Sequence, residues 1–131
     1  MKFVEPIRDK KQIKKVKQIL KQSNQRNYLL FVLGINSGLR ISDILKLKVK
    51  DVKNKKYIEI KEQKTKKYKK FPITKPLKLC IDRYINDKLS EDWLFESKRG
   101  SKPITRVQAY RIICNACNNA GINLNIGTHT L

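Results

Sequence analysis

The sequence predicts an α+β fold that is mostly helical, with helices around a small antiparallel β-sheet. Apolar residues recur at helical spacing over most of the chain. The spacing changes to alternation only near the middle, at residues 57–73. Hydrophobic residues make up 40% of the 131 residues, which is enough for one folded domain and argues against a disordered basic tail.

The first predicted helix begins close to Asp9, which is a suitable N-cap, and ends where Ser23 and Asn24 interrupt the pattern. Its apolar positions are Ile13, Val16, Ile19 and Leu20. These positions lie on one face, so the helix is amphipathic with a lysine-rich outer face.

A second helix is predicted over residues 28–35, a segment that is apolar on every side and therefore predicts burial on every side. Gly38 offers the left-handed residue that ends many helices. Ser42 with Asp43 then opens a short third helix.

Residues 57–73 predict a β-hairpin with a long basic connection. Ile58 and Ile60 alternate with exposed-type residues, and the segment 71–73 (Phe-Pro-Ile) forms a second apolar run. No glycine lies in residues 63–67, so a looser connection than a two-residue turn is expected.

Two further helices are predicted after the hairpin, separated by a short apolar element at residues 93–95. Thr74 is the N-cap of the first and Thr105 the N-cap of the second, which Gly121 closes. The apolar face of the first contains Leu77, Ile81, Tyr84 and Ile85. The apolar face predicted for the second contains Val107, Tyr110, Cys114 and Cys117.

The charge of the chain points to a polyanionic partner. Lysine and arginine number 31 against 11 acidic residues, a formal net charge of +20. Between residues 46 and 70 there are twelve lysines and three acids. Such a run is often only a solvated face, but its self-repulsion is easier to understand if phosphates normally lie against it. Contact with nucleic acid is therefore predicted.

The sequence predicts a cytoplasmic protein without a membrane segment, a metal or a cofactor. The longest apolar stretch, residues 28–35, is too short to cross a bilayer, and no secretory signal is visible at the N-terminus. Three cysteines fit reduced thiols better than a disulfide framework. Cys114 and Cys117 form a CxxC, but no second pair accompanies it, so packing is favoured over zinc binding.

Arg40 lies between a helix-ending glycine and the start of the next helix. On such a short turn its guanidinium could be aimed at one phosphate. Alternatively, Arg40 is a surface residue that pairs with Asp43. Spacing alone leaves both interpretations open.

Three segments, taken in order, resemble boxes of the tyrosine recombinases, the phage-integrase family. Residues 37–43 (Ser-Gly-Leu-Arg-Ile-Ser-Asp) resemble the box around the first catalytic arginine of the family. Lys64 lies in a hairpin before residues 71–73, like the catalytic lysine of the family. Residues 128–131 (Thr-His-Thr-Leu) resemble the start of its His-x-x-Arg box.

The resemblance implies a domain that binds duplex DNA and attacks a phosphodiester with a tyrosine, forming a 3′-phosphotyrosine without metal or ATP. It implies that Arg40 neutralises the non-bridging oxygens of the scissile phosphate, with Asp43 orienting it from behind. Lys64 would protonate the leaving 5′-oxygen, and His129 would bind the phosphate and assist proton transfer. The expected DNA contacts along the hairpin are Lys61, Lys66, Lys67, Lys69 and Lys70.

Residues 1–131 are expected to be a partial catalytic domain. The second arginine of the family would follow Leu131, and every tyrosine of the chain precedes His129, so no nucleophile is assigned here. The separate N-terminal DNA-binding domain of the family is also expected to be absent. The expected parent is a recombinase of phage or mobile-element type that self-associates on double-stranded DNA, whereas this portion alone would bind DNA without cleaving it. The alternative is a non-catalytic basic module that binds DNA or RNA.

Overall fold

The computed structural model describes residues 10–37 and 39–122. Within these residues the elements are α1 (Lys10–Ser23), α2 (Gln25–Ser37), α3 (Ile41–Ile44), a 3-10 turn (Val49–Asp51), β1 (Tyr57–Lys61), β2 (Tyr68–Pro72), α4 (Lys75–Ile85) and α5 (Arg106–Asn119). The predicted class, mostly helical with a small antiparallel sheet, is confirmed. No helix among the described residues is long and apolar enough to cross a membrane.

The chain divides into two compact units. The first contains the described residues up to Ile41 together with those from Thr105 onward, and the second contains residues 42–104. In the first unit α1, α2 and α5 pack against one another. Residues 29–33 of α2 are all buried, as predicted for a helix that is apolar on every side. Asp9 and Gly38 lie outside the described residues, so their roles at helix ends stay predictions.

The buried face of α5 differs from the predicted one. Val107 is 44% exposed, and Tyr110 and Cys114 are only partly buried. Of the predicted positions Cys117 is fully buried, and it shares its face with the other buried residues of the helix. These are Ala109, Ile113 and Ala116. Apolar residues lie on more than one side of this helix, and periodicity alone did not decide which side the neighbouring helices cover.

Both ends of α5 are formed by local hydrogen bonds, as predicted. The hydroxyl of Thr105 accepts from the backbone N–H of Gln108, whose side chain accepts from the N–H of Thr105, completing a capping box. At the other end Gly121 has a φ of +77°. The N–H of Gly121 donates to the carbonyl of Asn118, and the N–H of Ile122 donates to that of Cys117, which is the Schellman pattern.

In the second unit β1 and β2 form an antiparallel hairpin in which Tyr57 faces Pro72 and Ile60 faces Lys69. The loose connection is confirmed, since residues 62–67 lie between the strands. The second strand begins at Tyr68 rather than at the apolar segment 71–73. Backbone hydrogen bonds to β1 extend it through a lysine-rich stretch that side-chain patterning does not reveal.

The predicted helix after the hairpin and the apolar element that follows it are both present. The hydroxyl of Thr74 accepts from the N–H of Leu77 at the start of α4, at 3.4 Å. At the other end of α4 the buried hydroxyl of Tyr84 donates to the carbonyl of Leu94 at 2.6 Å. Leu94 and Phe95 are fully buried, so this short segment belongs to the core of the second unit.

Two glycine-to-alanine substitutions in the first unit should change stability in opposite directions. Gly121→Ala places a side chain on a left-handed residue that has open space around it, so strain alone should lower the free energy of unfolding by about 1 kcal/mol. Gly34→Ala lies in α2, where the new methyl group would make an ordinary 3.8 Å contact with Ile41. Its higher helix propensity should raise the free energy of unfolding by up to about 1 kcal/mol. Urea denaturation measures both, and a shift of the same sign in the two variants would contradict the roles given to these glycines.

Candidate functional site

Lys64 lies exposed in the middle of the turn that joins the two strands. The N–H of Glu62 donates to the carbonyl of Lys67 at 2.8 Å, and the N–H of Lys66 donates to the carbonyl of Glu62 at 2.9 Å. Lys66 has a left-handed backbone with a φ of +59°. These features hold residues 62–67 in a defined conformation, with the ammonium group of Lys64 accessible to a ligand.

A buried carboxylate, Glu62, stands at the beginning of this turn. It is 5% exposed and continues the inward alternation of Ile58 and Ile60 along β1. Its Oε1 accepts a hydrogen bond from the hydroxyl of Thr65 at 3.2 Å and lies 3.7 Å from Nζ of Lys69. Sequence reasoning missed Glu62, although a carboxylate at an inward position of a strand is itself a sign of a specific role.

A second buried carboxylate, Asp43 of α3, is 2% exposed and contacts the same turn. Its Oδ1 accepts from the backbone N–H of Gln63 at 3.3 Å and lies 3.8 Å from Nζ of Lys46. Lys46 in turn donates from Nζ to the side-chain oxygen of Gln63. Asp43 and Glu62 are the buried charged side chains of the part of the chain that the structure describes, and both bond to residues adjoining Lys64.

Of the other two predicted catalytic residues, Arg40 lies within the described residues and His129 does not. Arg40 is half-buried in the segment between α2 and α3 and belongs to the first unit. Its contact with a phosphate, and the orienting role of Asp43 toward it, stay predictions. His129 lies outside the described residues.

The lysines predicted to contact DNA are all exposed along the hairpin. They are Lys61, Lys66, Lys67, Lys69 and Lys70. Lys70 lies 3.8 Å from the carboxylate of Glu59 and its Nζ is 4.3 Å from the centre of the Tyr57 ring. Residues 57–72 contain six lysines and two glutamates, so the hairpin is strongly positive even with its ion pairs formed.

The basic surface continues at the start of β1. An open cleft of about 500 Å³ is lined there by Lys50, Asp51, Lys55, Lys56, Tyr57 and Glu59. Lys50 is also paired with Glu91 at 3.0 Å, and this contact lowers the pKa of the Glu91 carboxyl. The cleft adds exposed positive charge to the hairpin within the second unit.

The CxxC pair lies on α5, where Cys117 packs into the buried face. Burial, with a smaller contribution from Cys114, raises the pKa of the Cys117 thiol to about 11. The position of Cys117 among the buried residues of α5 agrees with the packing interpretation. In residues 10–37 and 39–122 no group of three or more His, Cys, Asp or Glu side chains could hold a metal ion.

Comparison with known proteins places this fold and sequence in one family. Residues 9–131 match the phage integrase family, and the chain therefore belongs to it. Over its whole length the chain is 50% identical to "Probable integrase/recombinase YoeC" of Bacillus subtilis (strain 168), of which it covers 72%.

Two solved structures share the fold at lower sequence identity. The crystal structure of XerA recombinase is 17% identical, with a TM-score of 0.75 over 96% of this chain and 46% of that one. The crystal structure of lambda integrase (residues 75–356) bound to DNA is 19% identical, with a TM-score of 0.68 over 89% of this chain and 43% of that one. The chain thus spans less than half of either solved protein chain.

Asp43→Ala should loosen the turn that carries Lys64. The substitution leaves the N–H of Gln63 without its acceptor and Lys46 without its ion pair, which should cost about 1–3 kcal/mol. Hydrogen exchange at the Gln63 amide should accelerate by at least about tenfold. Asp51→Ala is the control, since Asp51 accepts from the N–H of Lys48 at 2.8 Å and should affect that amide instead. An unchanged exchange rate at Gln63 would show that Asp43 does not hold the turn.

Proposed function

We propose that this chain is part of the catalytic domain of a site-specific tyrosine recombinase, which cuts duplex DNA and rejoins it through a 3′-phosphotyrosine intermediate. The observation that carries the proposal is an exposed lysine, Lys64, on a basic hairpin turn that two buried carboxylates hold in place. Membership of the phage integrase family supports the reaction class.

In this reaction Lys64 acts as the general acid. When the phosphodiester breaks, electron density moves to the 5′-oxygen, and a proton from the ammonium group neutralises it. Arg40 stabilises the charge on the two non-bridging oxygens through its guanidinium N–H groups, and His129 binds the phosphate and assists proton transfer. We assign no tyrosine of residues 1–131 as the nucleophile, because all five precede His129.

The partner is double-stranded DNA, on which we expect the protein to self-associate. The exposed lysines of the hairpin neutralise backbone phosphates, and a contact of this kind is insensitive to base sequence. We further propose an element of phage or mobile type as the source of the gene and the cytoplasm as the site of action. A non-catalytic basic module would bind DNA through the same lysines, so binding by itself does not separate the two functions.

Binding of the chain to duplex DNA should weaken steeply with salt. If about 5 phosphates are neutralised, the slope of log K against log salt should be about −4 to −5. Lys67→Ala should make the slope less steep by about 1. Lys21→Ala replaces an exposed lysine of α1 outside the hairpin and is the control, which should leave the slope unchanged. Fluorescence anisotropy at several salt concentrations measures the slope. Binding that is independent of salt would contradict the proposed phosphate contacts.

Lys64→Ala should impair chemistry far more than binding. In the full-length gene product, tested on a nicked suicide duplex selected from a random pool for covalent capture, the cleavage rate should fall about 10²–10⁴-fold. Binding should change only slightly, because Lys64 is one of many lysines on the hairpin.

Replacing the bridging 5′-oxygen with sulfur separates the roles of the two side chains, because a thiolate leaves without a proton. On that substrate the Lys64→Ala defect should largely disappear, while an Arg40→Ala defect should persist. Equal rescue of both variants, or of neither, would mean that Lys64 is not the acid. Absence of any covalent complex with the unaltered protein would favour the non-catalytic module.

A further inference from the structure

The turn that carries Lys64 begins with a buried carboxylate for which the proposed mechanism has no use. We propose that Glu62 is a positioning residue, which sets the conformation of residues 62–67 so that the Lys64 ammonium group meets the leaving oxygen. This inference rests on the proposed function of Lys64 and extends it to a residue that never touches the DNA.

The burial of Glu62 requires an explanation. Ile58, Ile60 and Glu62 are successive inward positions, and the first two are apolar and buried. A carboxylate at the third position loses its hydration and is stable there only when it is paired. An apolar residue would satisfy the core equally well, so what distinguishes the carboxylate at this position is the set of contacts that it makes.

Those contacts join Glu62, which precedes Lys64 in the chain, to residues that follow Lys64. The Glu62 side chain accepts from the hydroxyl of Thr65, the residue that follows Lys64, at 3.2 Å. The same oxygen lies 3.7 Å from Nζ of Lys69 on β2, which links the start of the turn to the returning strand. The backbone of Glu62 adds two more bonds, to Lys66 and Lys67. Glu62 therefore connects both ends of the turn and its middle.

The conformation held in this way is not one that the chain would adopt readily. Lys66 has a φ of +59°, and a residue other than glycine is strained in this left-handed region of backbone conformation. Such a residue persists only where surrounding contacts over-determine it. Six lysines in the hairpin also repel one another. Without the Glu62 contacts we expect the turn to sample other conformations, in which the ammonium group of Lys64 is displaced.

Displacement matters because proton transfer in the transition state requires hydrogen-bond distance. An error of about 1 Å in such a group can reduce the rate by about 10²-fold. Non-specific DNA binding depends on total charge and tolerates the same displacement. Loss of the Glu62 contacts should consequently lower the rate of cleavage at saturating DNA, whereas the affinity should change only as much as removal of one negative charge from the hairpin changes it.

The test compares Glu62→Gln with Glu59→Gln in the full-length gene product. Both substitutions remove one negative charge from the hairpin, and each removes one lysine pairing, since Glu59 lies 3.8 Å from Lys70. Glu59 is an exposed position of the strand, whereas Glu62 is buried. The cleavage rate should fall about 10- to 100-fold for Glu62→Gln and less than about twofold for Glu59→Gln, with DNA affinity similar for both. Equal effects of the two substitutions would overturn the inference.

The substrate with a sulfur leaving group distinguishes positioning from a general structural role. Because the thiolate needs no acid, the Glu62→Gln defect should disappear on it, as the Lys64→Ala defect does. The double variant Glu62→Gln with Lys64→Ala should cleave the ordinary substrate no more slowly than Lys64→Ala alone. A defect that persists on the sulfur substrate, or that adds to the Lys64→Ala defect, would show that Glu62 only supports the fold.

Thr65→Val keeps the inference testable if Glu62→Gln does not fold. Thr65 is exposed, so its substitution leaves the core intact. It removes the hydrogen bond to Glu62 and also the acceptor for the N–H of Lys67 at 3.2 Å, both of which lie within the turn. Its cleavage defect should be smaller than that of Glu62→Gln and should also disappear with sulfur. Failure of sulfur to rescue Lys64→Ala itself would refute the acid role proposed for Lys64. Rescue of Lys64→Ala without rescue of Glu62→Gln or Thr65→Val would refute only the inference.

Discussion

The attachment of a lysine-rich hairpin turn to buried carboxylates is the interaction on which this structure depends. Residues 57–72 carry six lysines, and like charges so close together oppose a compact turn. Asp43 binds the N–H of Gln63 from outside the hairpin, and Glu62 binds Thr65 and Lys69 from within it. Because both carboxylates are buried, their contacts are screened by salt much less than those of the exposed lysines.

This arrangement separates two demands that a DNA-cleaving domain makes on the same segment. Affinity for DNA requires many exposed positive charges, and the exact location of each is unimportant. Proton transfer requires one ammonium group at a defined location. In the proposed function the exposed lysines from Lys61 to Lys70 serve the first demand. In the proposed mechanism the second demand falls on Lys64, and the buried contacts at residues 62 and 63 restrict the backbone directly before it.

The family match and the fold agree with each other. In addition, two of the sequence motifs that indicate the family contact each other in the structure. Asp43 is the last residue of the first motif, and its carboxylate contacts the turn that carries the second motif, at Lys64. The two motifs are thus joined through the backbone of Gln63. The resemblance implies that Asp43 orients Arg40. In the structure the same carboxylate also accepts a hydrogen bond from the turn.

Much of the fold could be predicted because it depends on local patterns. Burial of residues 29–33 followed from an apolar run, and the ends of α5 followed from Thr105 and Gly121, whose hydrogen bonds span only a few residues. The buried face of α5 was mispredicted at Val107, because apolar residues lie on more than one side of this helix, and Ile113 is buried while Val107 is exposed. Which face of a helix is buried is decided by its neighbours.

The sequence by itself determined the helical segments, the alternation of β1, the concentration of positive charge on the hairpin and the family motifs around Arg40 and Lys64. Only the tertiary structure decided that Asp43 meets the amide of Gln63, twenty residues away, and that the carboxylate of Glu62 lies 3.7 Å from Nζ of Lys69 on the returning strand. The physical reason is that periodicity and capping are properties of neighbouring residues. A contact between distant side chains exists only once strand register and chain path have brought their atoms together.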